Sequence, residues 1–405
     1  MTTTKTDLGA AHDAVHDARR ARLRKRRERG RAARAHGDDL RGVVSAVVTG
    51  TTNVTGVVHE MHKAFGAVPV FTDLMYRSVR GVTGFVGDSV DVVVGALSSL
   101  LGASTPGFER EAIVSAINGV VGDHLAATNN PLAITMALQP PLDDRRDDDV
   151  LLVLVHGSST SDLQWQRLGH DHGEALAVEL GVTPVYVHYN SGLHISDNGA
   201  RLAALLEAHA TDYGAIVIVA HSMGGLVARA ALSAASTLQH RWRGAVRALV
   251  TLGSPHQGAP LERAGNLFET VLGSTPWTAP LQTLARVRSA GITDLRYGKV
   301  VAADWQDHDR FAHGPDTRTP LPLPTDVICY AVAASRSAEG VDDNDLAGDG
   351  LVPVDSALGQ HADERLRLQF AATQIVRATH HLGLLSSPEV FAQLRDWLQP
   401  IVNDG

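Results

Sequence analysis

The sequence predicts an α/β protein in which a mostly parallel sheet is flanked by helices on both sides. From residue 150 onward, short apolar runs alternate with stretches of helical periodicity. The apolar runs, such as AIVIVA at 215–220, are continuous rather than alternating, which is typical of parallel strands buried on both faces. Regular alternation of strands and helices indicates that the helices cover both faces of that sheet.

Composition places the chain among globular proteins with a sizeable core. It has 405 residues, of which 44% are hydrophobic and 20% charged, enough for two or three domains. The single cysteine, Cys329, excludes an intrachain disulfide and is consistent with a reducing compartment.

Residues 1–38 form a basic arm that we expect to be flexible. The first 36 residues hold eleven Lys and Arg against four Asp and Glu, whereas the whole chain has a net charge of −8. Such an arm indicates contact with an anionic surface or with the acidic body, or a solvated tail. It contains no apolar signal segment, and no stretch of 18 apolar residues follows. We therefore expect a cytoplasmic protein, with peripheral membrane contact as an open alternative.

Residues 39–140 are predicted to be helical, because apolar residues recur at spacings of three and four. This region is either a helical domain packed on the body or a module that binds a lipid or polymer surface. His59 and His62 share one helix face but lack a third ligand, so we predict no metal there. A charged linker at 141–149 separates this region from the body.

The body, residues 150–405, contains five strand-like runs with helical stretches between the earlier ones. They read VLLVLV at 150–155, PVYVHY at 184–189, AIVIVA at 215–220, VRALVTLG at 246–253 and DVICYAVAA at 326–334.

The stretch AHSMGG at 220–225 lies between a buried strand and a Gly-rich helix, where a nucleophile elbow is expected. The residues two before and two after Ser222 are Ala220 and Gly224, small enough for that tight turn. Ser222 is therefore the candidate nucleophile, and the alternative is a serine that only caps the helix. The backbone N–H groups of Met223 and of Ser158, which follows HG at 156–157, are the candidate oxyanion donors.

In proteins with a nucleophile elbow, the acidic residue of the catalytic triad and then its histidine follow the serine along the chain. His380 and His381 are adjacent, so only one is expected to reach Ser222. The favoured acid is Asp349, which is flanked by glycines, precedes the apolar LVPV and follows the strand at 326–334. Its rivals are Asp342, Asp343, Asp345 and Asp355, and the group DDND lacks the spacing of a calcium-binding loop.

Five motifs together resemble the bacterial lipase and esterase branch of the α/β-hydrolases, in particular hydrolases related to GPI-inositol deacylases and small bacillar lipases. They are HG at 156–157, AHSMGG at 220–225, TLGSPHQG at 251–258, GDGLVP at 348–353 and HHLGLL at 380–385. The resemblance covers about residues 150–400 and implies an α/β-hydrolase fold. The family's H-x-G-L-L context selects His381 over His380, and its acid before Gly supports Asp349.

The long segment from about 255 to 324 is predicted to be a cap over the site, or alternatively a structural helix pair. It contains Leu267, Phe268, Leu272, Trp277 and Leu281, which would wall an acyl pocket. His256 also lies here, but it precedes the acid along the chain and is not expected to be the base.

We expect a serine hydrolase that cleaves carboxylic esters through an acyl-enzyme and needs no cofactor. The substrate is expected to be lipid-like, because no charge clamp is evident in the sequence. Two alternatives stay open: an acyltransferase with the same triad, and a protein that binds an anionic membrane or granule surface through its N-terminal region. Nucleic-acid binding is not expected, because the arm has no interleaved aromatic residues.

Overall fold

The computed structural model of the chain describes residues 21, 25, 108–142, 149–259, 288–309, 315–338 and 347–403. Nearly all of the basic arm, residues 39–107 and the middle of the expected cap, 260–287, lie outside the described residues. So do most of the linker and the DDND group at 342–345.

Seven strands form one sheet in the order β1-β3-β2-β4-β5-β6-β7. Strand β1 is antiparallel to β3, and every other neighbouring pair is parallel. The strands are β1 Ala137–Gln139, β2 Val150–Val155, β3 Thr183–His188, β4 Ala215–His221, β5 Val246–Leu252, β6 Ile328–Ala334 and β7 Ala372–Val376.

Seven α-helices accompany these strands in the described residues. They are α1 Phe108–Ala127, α2 His172–Leu180, α3 Ile195–His209, α4 Met223–Thr237, α5 Ala290–Asp294, α6 Val354–Ala357 and α7 Pro388–Asn403.

Two hydrophobic cores lie on opposite faces of the sheet, and β2 contributes to both. Leu151, Val153 and Val155 belong to the core that also contains residues of α3 and α4. Leu152 and Leu154 belong to the core shared with α2 and α7. All six residues of β2 and all seven of β4 are buried, as continuous apolar runs predict for central parallel strands. The predicted α/β fold, with helices on both sides of a mostly parallel sheet, is thus confirmed.

The sheet begins earlier than the sequence predicts. Strand β1 lies within 39–140, for which the apolar spacing predicts only helices, yet its three residues pair with Tyr186, Val187 and His188 of β3. A strand of three residues is too short to leave a periodic signal, and its pairing partner is almost fifty residues away. The body of the fold therefore includes residues before 150.

Helix α1 packs against loops at the carboxyl ends of β2 and β3. The Asn118 amide donates to the Val114 and Leu132 carbonyls, at 2.8 and 2.7 Å, and its oxygen accepts from the Ile134 N–H at 2.9 Å. The Asn190 amide donates to the Gly122 carbonyl at 2.8 Å. Helix α1 is therefore part of the packed body.

Two hydrogen bonds also connect α1 to the segment expected to be a cap. The Ser289 hydroxyl donates to the Gly119 carbonyl, and the Ala290 N–H donates to Asp123 at 3.0 Å.

Among the described residues, no helix is both long and apolar enough to cross a membrane.

Replacing Gly192 by Ala should destabilise the protein by roughly 1–3 kcal/mol, because α1 leaves no room for a methyl group there. That methyl would lie 2.1 Å from the Asn118 carbonyl oxygen and 2.7 Å from the Gly122 nitrogen. The free energy of unfolding in urea measures the effect. Gly244→Ala is the control, because a methyl group at 244 meets nothing within 4 Å. Equal stability of the two variants would contradict the described packing of α1.

Candidate active site

Ser222 lies on a sharp turn between β4 and α4. Its φ of 55° and ψ of −127° are unusual for a residue with a side chain, and such a conformation costs about 1–3 kcal/mol. The Ser222 N–H donates to the Leu252 carbonyl at 2.9 Å, which ties the turn to the end of β5. Ser222 occupies the capping position of α4, but its side chain makes no capping hydrogen bond. The helix-cap alternative therefore does not explain why a serine stands here.

Two glycines allow the loop after β2 to approach this turn. A methyl group on Gly224 would lie 2.5 Å from the Val155 carbonyl oxygen and 2.6 Å from that of His156. A methyl group on Gly157 would lie 2.9 Å from Ser222 Cβ and 3.4 Å from its Oγ. Direct contact between the two loops thus requires Gly224, one of the two small residues on which the elbow prediction rests, and Gly157.

The two predicted oxyanion donors lie on the two segments that meet at this turn. Ser158 directly follows Gly157 and is buried, and Met223 is the buried first residue of α4. A methyl group on Gly291 of α5 would lie 3.3 Å from Met223 Cε, so the described part of the cap segment contacts the end of the Met223 side chain.

Asp349 and His381 form a buried pair near the carboxyl ends of β6 and β7. His381 Nδ1 donates to Asp349 Oδ2 at 2.6 Å, and both side chains are almost fully buried. Asp349 Oδ1 accepts from the N–H groups of Leu351 and Val352, at 2.8 and 2.7 Å. The His381 N–H donates to the Asp349 carbonyl at 3.1 Å. Both carboxylate oxygens are therefore occupied, which fixes the orientation of the imidazole.

Gly253 connects this pair to the Ser222 turn. It directly follows Leu252, which accepts the Ser222 N–H, and it has a φ of 59°. A methyl group on Gly253 would lie 3.3 Å from both Asp349 Oδ2 and His381 Cε1. Leu252 and Gly253 therefore connect the Ser222 turn to the Asp349–His381 pair at one edge of the sheet.

Of the alternative candidates for the base and the acid, the structure describes His380 and Asp355. The His380 side chain is exposed and caps the turn His381–Leu385, accepting from the Gly383 N–H at 3.2 Å. Asp355 lies exposed on α6. Asp342, Asp343 and Asp345, like His59 and His62, lie outside the described residues.

His256 is buried away from the pair. Its Nδ1 accepts from Arg229 at 3.4 Å, and its Nε2 donates to Thr251 at 3.2 Å. Burial, together with the charges of Arg229 and Arg318, lowers the pKa of His256 well below its usual value. The ring is therefore neutral near pH 7, and both of its nitrogens are engaged in hydrogen bonds. Within the described part of the chain, no group of three or more His, Cys, Asp or Glu is arranged to hold a metal ion.

His221 is a site residue that the sequence reasoning missed. Its Nε2 donates to the His381 carbonyl at 3.2 Å, and the two rings lie 4.6 Å apart. Burial lowers the pKa of His221 well below its usual value, and the neighbouring His381 adds to this effect. A neutral imidazole thus supports the backbone of His381. Its position directly before Ser222 was the only signal in the sequence.

A second pair of histidines anchors the loop after β2 to the turn that carries His381. His170 Nε2 donates to His172 Nδ1 at 2.8 Å, and His172 Nε2 donates to the Leu384 carbonyl at 2.9 Å. Burial lowers the pKa of His172 to about 4, so its ring is neutral near pH 7. The sequence reasoning missed this contact because it joins residues more than two hundred positions apart.

Acid should weaken the fold through His172. Because its pKa is lower in the folded than in the unfolded state, the unfolded chain binds more protons below about pH 6.5, and stability falls until the pH reaches about 4. His172→Gln should reduce the loss of unfolding free energy between pH 7.5 and 5 by about 2 kcal/mol. Urea denaturation at both pH values measures it. His209→Gln, at an exposed position, is the control. Equal losses in wild type and His172→Gln would contradict this assignment.

Comparisons with known proteins give one family model and several similar solved structures. Residues 195–321 match the model of the family described as PGAP1-like alpha/beta domain. No curated protein is detectably similar in sequence. Similar solved structures include the mature lipase BlEst2 of Bacillus licheniformis, with 18% identity, a TM-score of 0.42, and coverage of 66% of this chain and 98% of the lipase.

Two further solved structures are a lipase-esterase related protein from Clostridium acetobutylicum and a thermophilic esterase from Thermogutta terrifontis. The first has 12% identity and a TM-score of 0.38, covering 65% of this chain and 98% of its own. The second has 15% identity and a TM-score of 0.37, and the match covers 66% of this chain and 93% of the esterase. From its strand order and flanking helices, the chain has the α/β-hydrolase fold, and its residues 195–321 are similar to the PGAP1-like alpha/beta domain.

Proposed function

We propose that this protein is a serine hydrolase that cleaves carboxylic esters, with Ser222 as nucleophile, His381 as general base and acid, and Asp349 as the residue that orients His381. One observation carries the proposal. A serine in a strained turn at the end of β4 is connected through Leu252 and Gly253 to a buried Asp–His pair in which both carboxylate oxygens accept hydrogen bonds. This combination of a nucleophile, a base and an orienting acid is what acyl transfer through a serine requires.

In the first half of the reaction, Ser222 Oγ attacks the ester carbonyl carbon while His381 Nε2 takes the hydroxyl proton. Because His381 Nδ1–H is held by Asp349 at 2.6 Å, Nε2 is the nitrogen left to accept a proton. The negative Asp349 stabilises the imidazolium that results. The carbon–oxygen bond to the alcohol then breaks, and His381 returns its proton to the leaving oxygen.

In the second half, water attacks the acyl group on Ser222, and His381 accepts a proton from that water. Collapse of the second tetrahedral intermediate releases the carboxylic acid and returns the proton to Ser222. The cycle consumes one ester and one water, and it needs no cofactor.

The negative oxygen that forms in both intermediates would be held by the backbone N–H groups of Met223 and Ser158. Met223 begins α4, where the helix dipole favours negative charge. Ser158 follows the glycine that closes against Ser222. Donors positioned before the reaction are worth about 100- to 1000-fold in rate each.

Ser222→Ala should abolish the burst of p-nitrophenol released from p-nitrophenyl esters, because the variant cannot form the acyl-enzyme. Stopped-flow absorbance measures the burst, and its amplitude should equal the concentration of active sites in wild type. Ser236→Ala, on the exposed surface of the same helix, is the control and should retain the burst. An undiminished burst in Ser222→Ala would show that another group is acylated.

Asp349→Asn should lower kcat by about 10³- to 10⁴-fold, because an amide at this position no longer stabilises the imidazolium and favours the wrong tautomer. Asp355→Asn is the matched control, from the same connection between β6 and β7 but exposed. Steady-state kinetics on a p-nitrophenyl ester, with thermal unfolding to check folding, compares the two. A larger loss in Asp355→Asn than in a folded Asp349→Asn would overturn the choice of acid.

A further inference from the structure

Arg167 is a half-buried arginine without a counter-ion among the described residues. It lies in the tight turn before α2, where its backbone exchanges two hydrogen bonds with His170, each 2.9 Å long. Its Nε is shielded from solvent and has no hydrogen-bond partner in the described part of the chain. Removing a guanidinium partly from water without a hydrogen-bond acceptor costs free energy. A bound ligand that accepts from Arg167 would recover that cost.

The turn that holds Arg167 is fixed to the segment that carries His381. His170, its bridge partner, bonds His172, which in turn bonds the Leu384 carbonyl in the turn His381–Leu385. Leu384 also contacts Gly253, since a methyl group there would lie 2.8 Å from Leu384 Cδ1. The turn that holds Arg167 is thus connected to the turn that carries the base.

Its charge acts on the residues that directly precede the nucleophile and the base. Burial lowers the pKa of His380, and the positive charge of Arg167 is the next largest cause. Arg167 also contributes to the lowered pKa of His221, after burial, His381 and His156. The electrostatic field of Arg167 therefore reaches both loops of the site.

Arg336 is a second cation at this edge of the sheet. It follows β6, its N–H donates to the Gly348 carbonyl at 2.8 Å, and its side chain packs on Gly350, next to Asp349. It adds to the lowering of the His380 pKa as well. Neither Arg167 nor Arg336 pairs with a described carboxylate.

Buried polar atoms without a partner are concentrated in the same loop. Besides Arg167 Nε, the segment 158–167 contains Ser158 Oγ, Gln164 Oε1 and Trp165 Nε1, none of which has a hydrogen-bond partner among the described residues. Native proteins satisfy most buried polar groups, and a bound water or ion is one explanation for an exception. The loop thus has the polar character of a subsite.

We propose that Arg167, assisted by Arg336, forms an anion-binding subsite beside His381, so that the preferred ester carries a carboxylate or phosphate on its alcohol portion. The inference rests on the proposed function. Because His381 must protonate the leaving oxygen, the alcohol portion would lie on the His381 side of Ser222, and the charges of both arginines act on His380, which adjoins His381. The substrate would then be amphiphilic rather than purely apolar.

Because the chain has a negative net charge, a preference for anionic esters would reveal a local positive group. At −8, the protein as a whole repels anions. Any preference for an anionic ester must therefore come from a local group, and added salt should weaken it.

Three acetates with matched leaving groups test the subsite: 4-acetoxybenzoate, 4-acetoxyphenyl phosphate and the neutral methyl 4-acetoxybenzoate. Each kcat/KM is divided by the rate of alkaline hydrolysis of the same ester. Wild type should prefer at least one anionic ester to the neutral one by about tenfold, and which one distinguishes carboxylate from phosphate. Arg167→Gln should remove the preference, Arg167→Lys should retain part of it, and Arg201→Gln, at an exposed position, is the control.

The outcomes separate this inference from the proposed function. Wild type that hydrolyses the neutral ester as well as both anions overturns the subsite and leaves the hydrolase intact. Wild type that is inert toward all three esters overturns the proposed function, and the subsite with it. If Arg167→Gln fails to fold, two other measurements test the subsite. They are the ester preference of Arg336→Gln and the salt dependence of the preference in wild type. A preference that is unchanged in Arg336→Gln and does not fall with added salt overturns the subsite.

Discussion

The left-handed turn at Ser222 is the constraint on which the rest of the site depends. A side chain at φ 55° is tolerated only where its surroundings hold it. The parallel partners of β4 hold one side of the turn, through the hydrogen bond from Ser222 to Leu252, and the Gly157 loop closes the other. A methyl group on Gly224 would collide with backbone, and one on Gly157 would collide with Ser222 itself. Both glycines are therefore needed for the strained conformation of Ser222.

A mostly parallel sheet makes this arrangement possible because its loops converge at one edge. The loops after β2, β4, β5, β6 and β7 supply Gly157, Ser222, Gly253, Asp349 and His381, and each touches a neighbour from a different strand. Helix α1 packs on the loops after β2 and β3, so the part of the chain before 150 helps to shape the same edge. The electrostatics follow from this crowding, because the buried His221 and His172 are held neutral, while Arg167 has no counter-ion in the described part of the chain.

Features encoded by neighbouring residues could be predicted from the sequence, and features made by distant contacts could not. The buried strands and the AHSMGG elbow are local patterns, and the resemblance placed His381 and Asp349 where the structure pairs them. Strand β1, the bond from His172 to Leu384 and the position of Arg167 depend on tertiary contacts, which leave no local periodicity. The sequence alone therefore gave no sign that the charges of Arg167 and Arg336 both act on His380.

The most direct test of the account is mass spectrometry of the protein after reaction with a fluorophosphonate, which phosphonylates activated serines. The account predicts one adduct per chain, located on Ser222, and much slower labelling in Asp349→Asn because His381 is then a poorer base. It also predicts no adduct in Ser222→Ala. Labelling of a different serine, or equal rates in wild type and a folded Asp349→Asn, would contradict the assignment of Ser222, His381 and Asp349 as one catalytic unit.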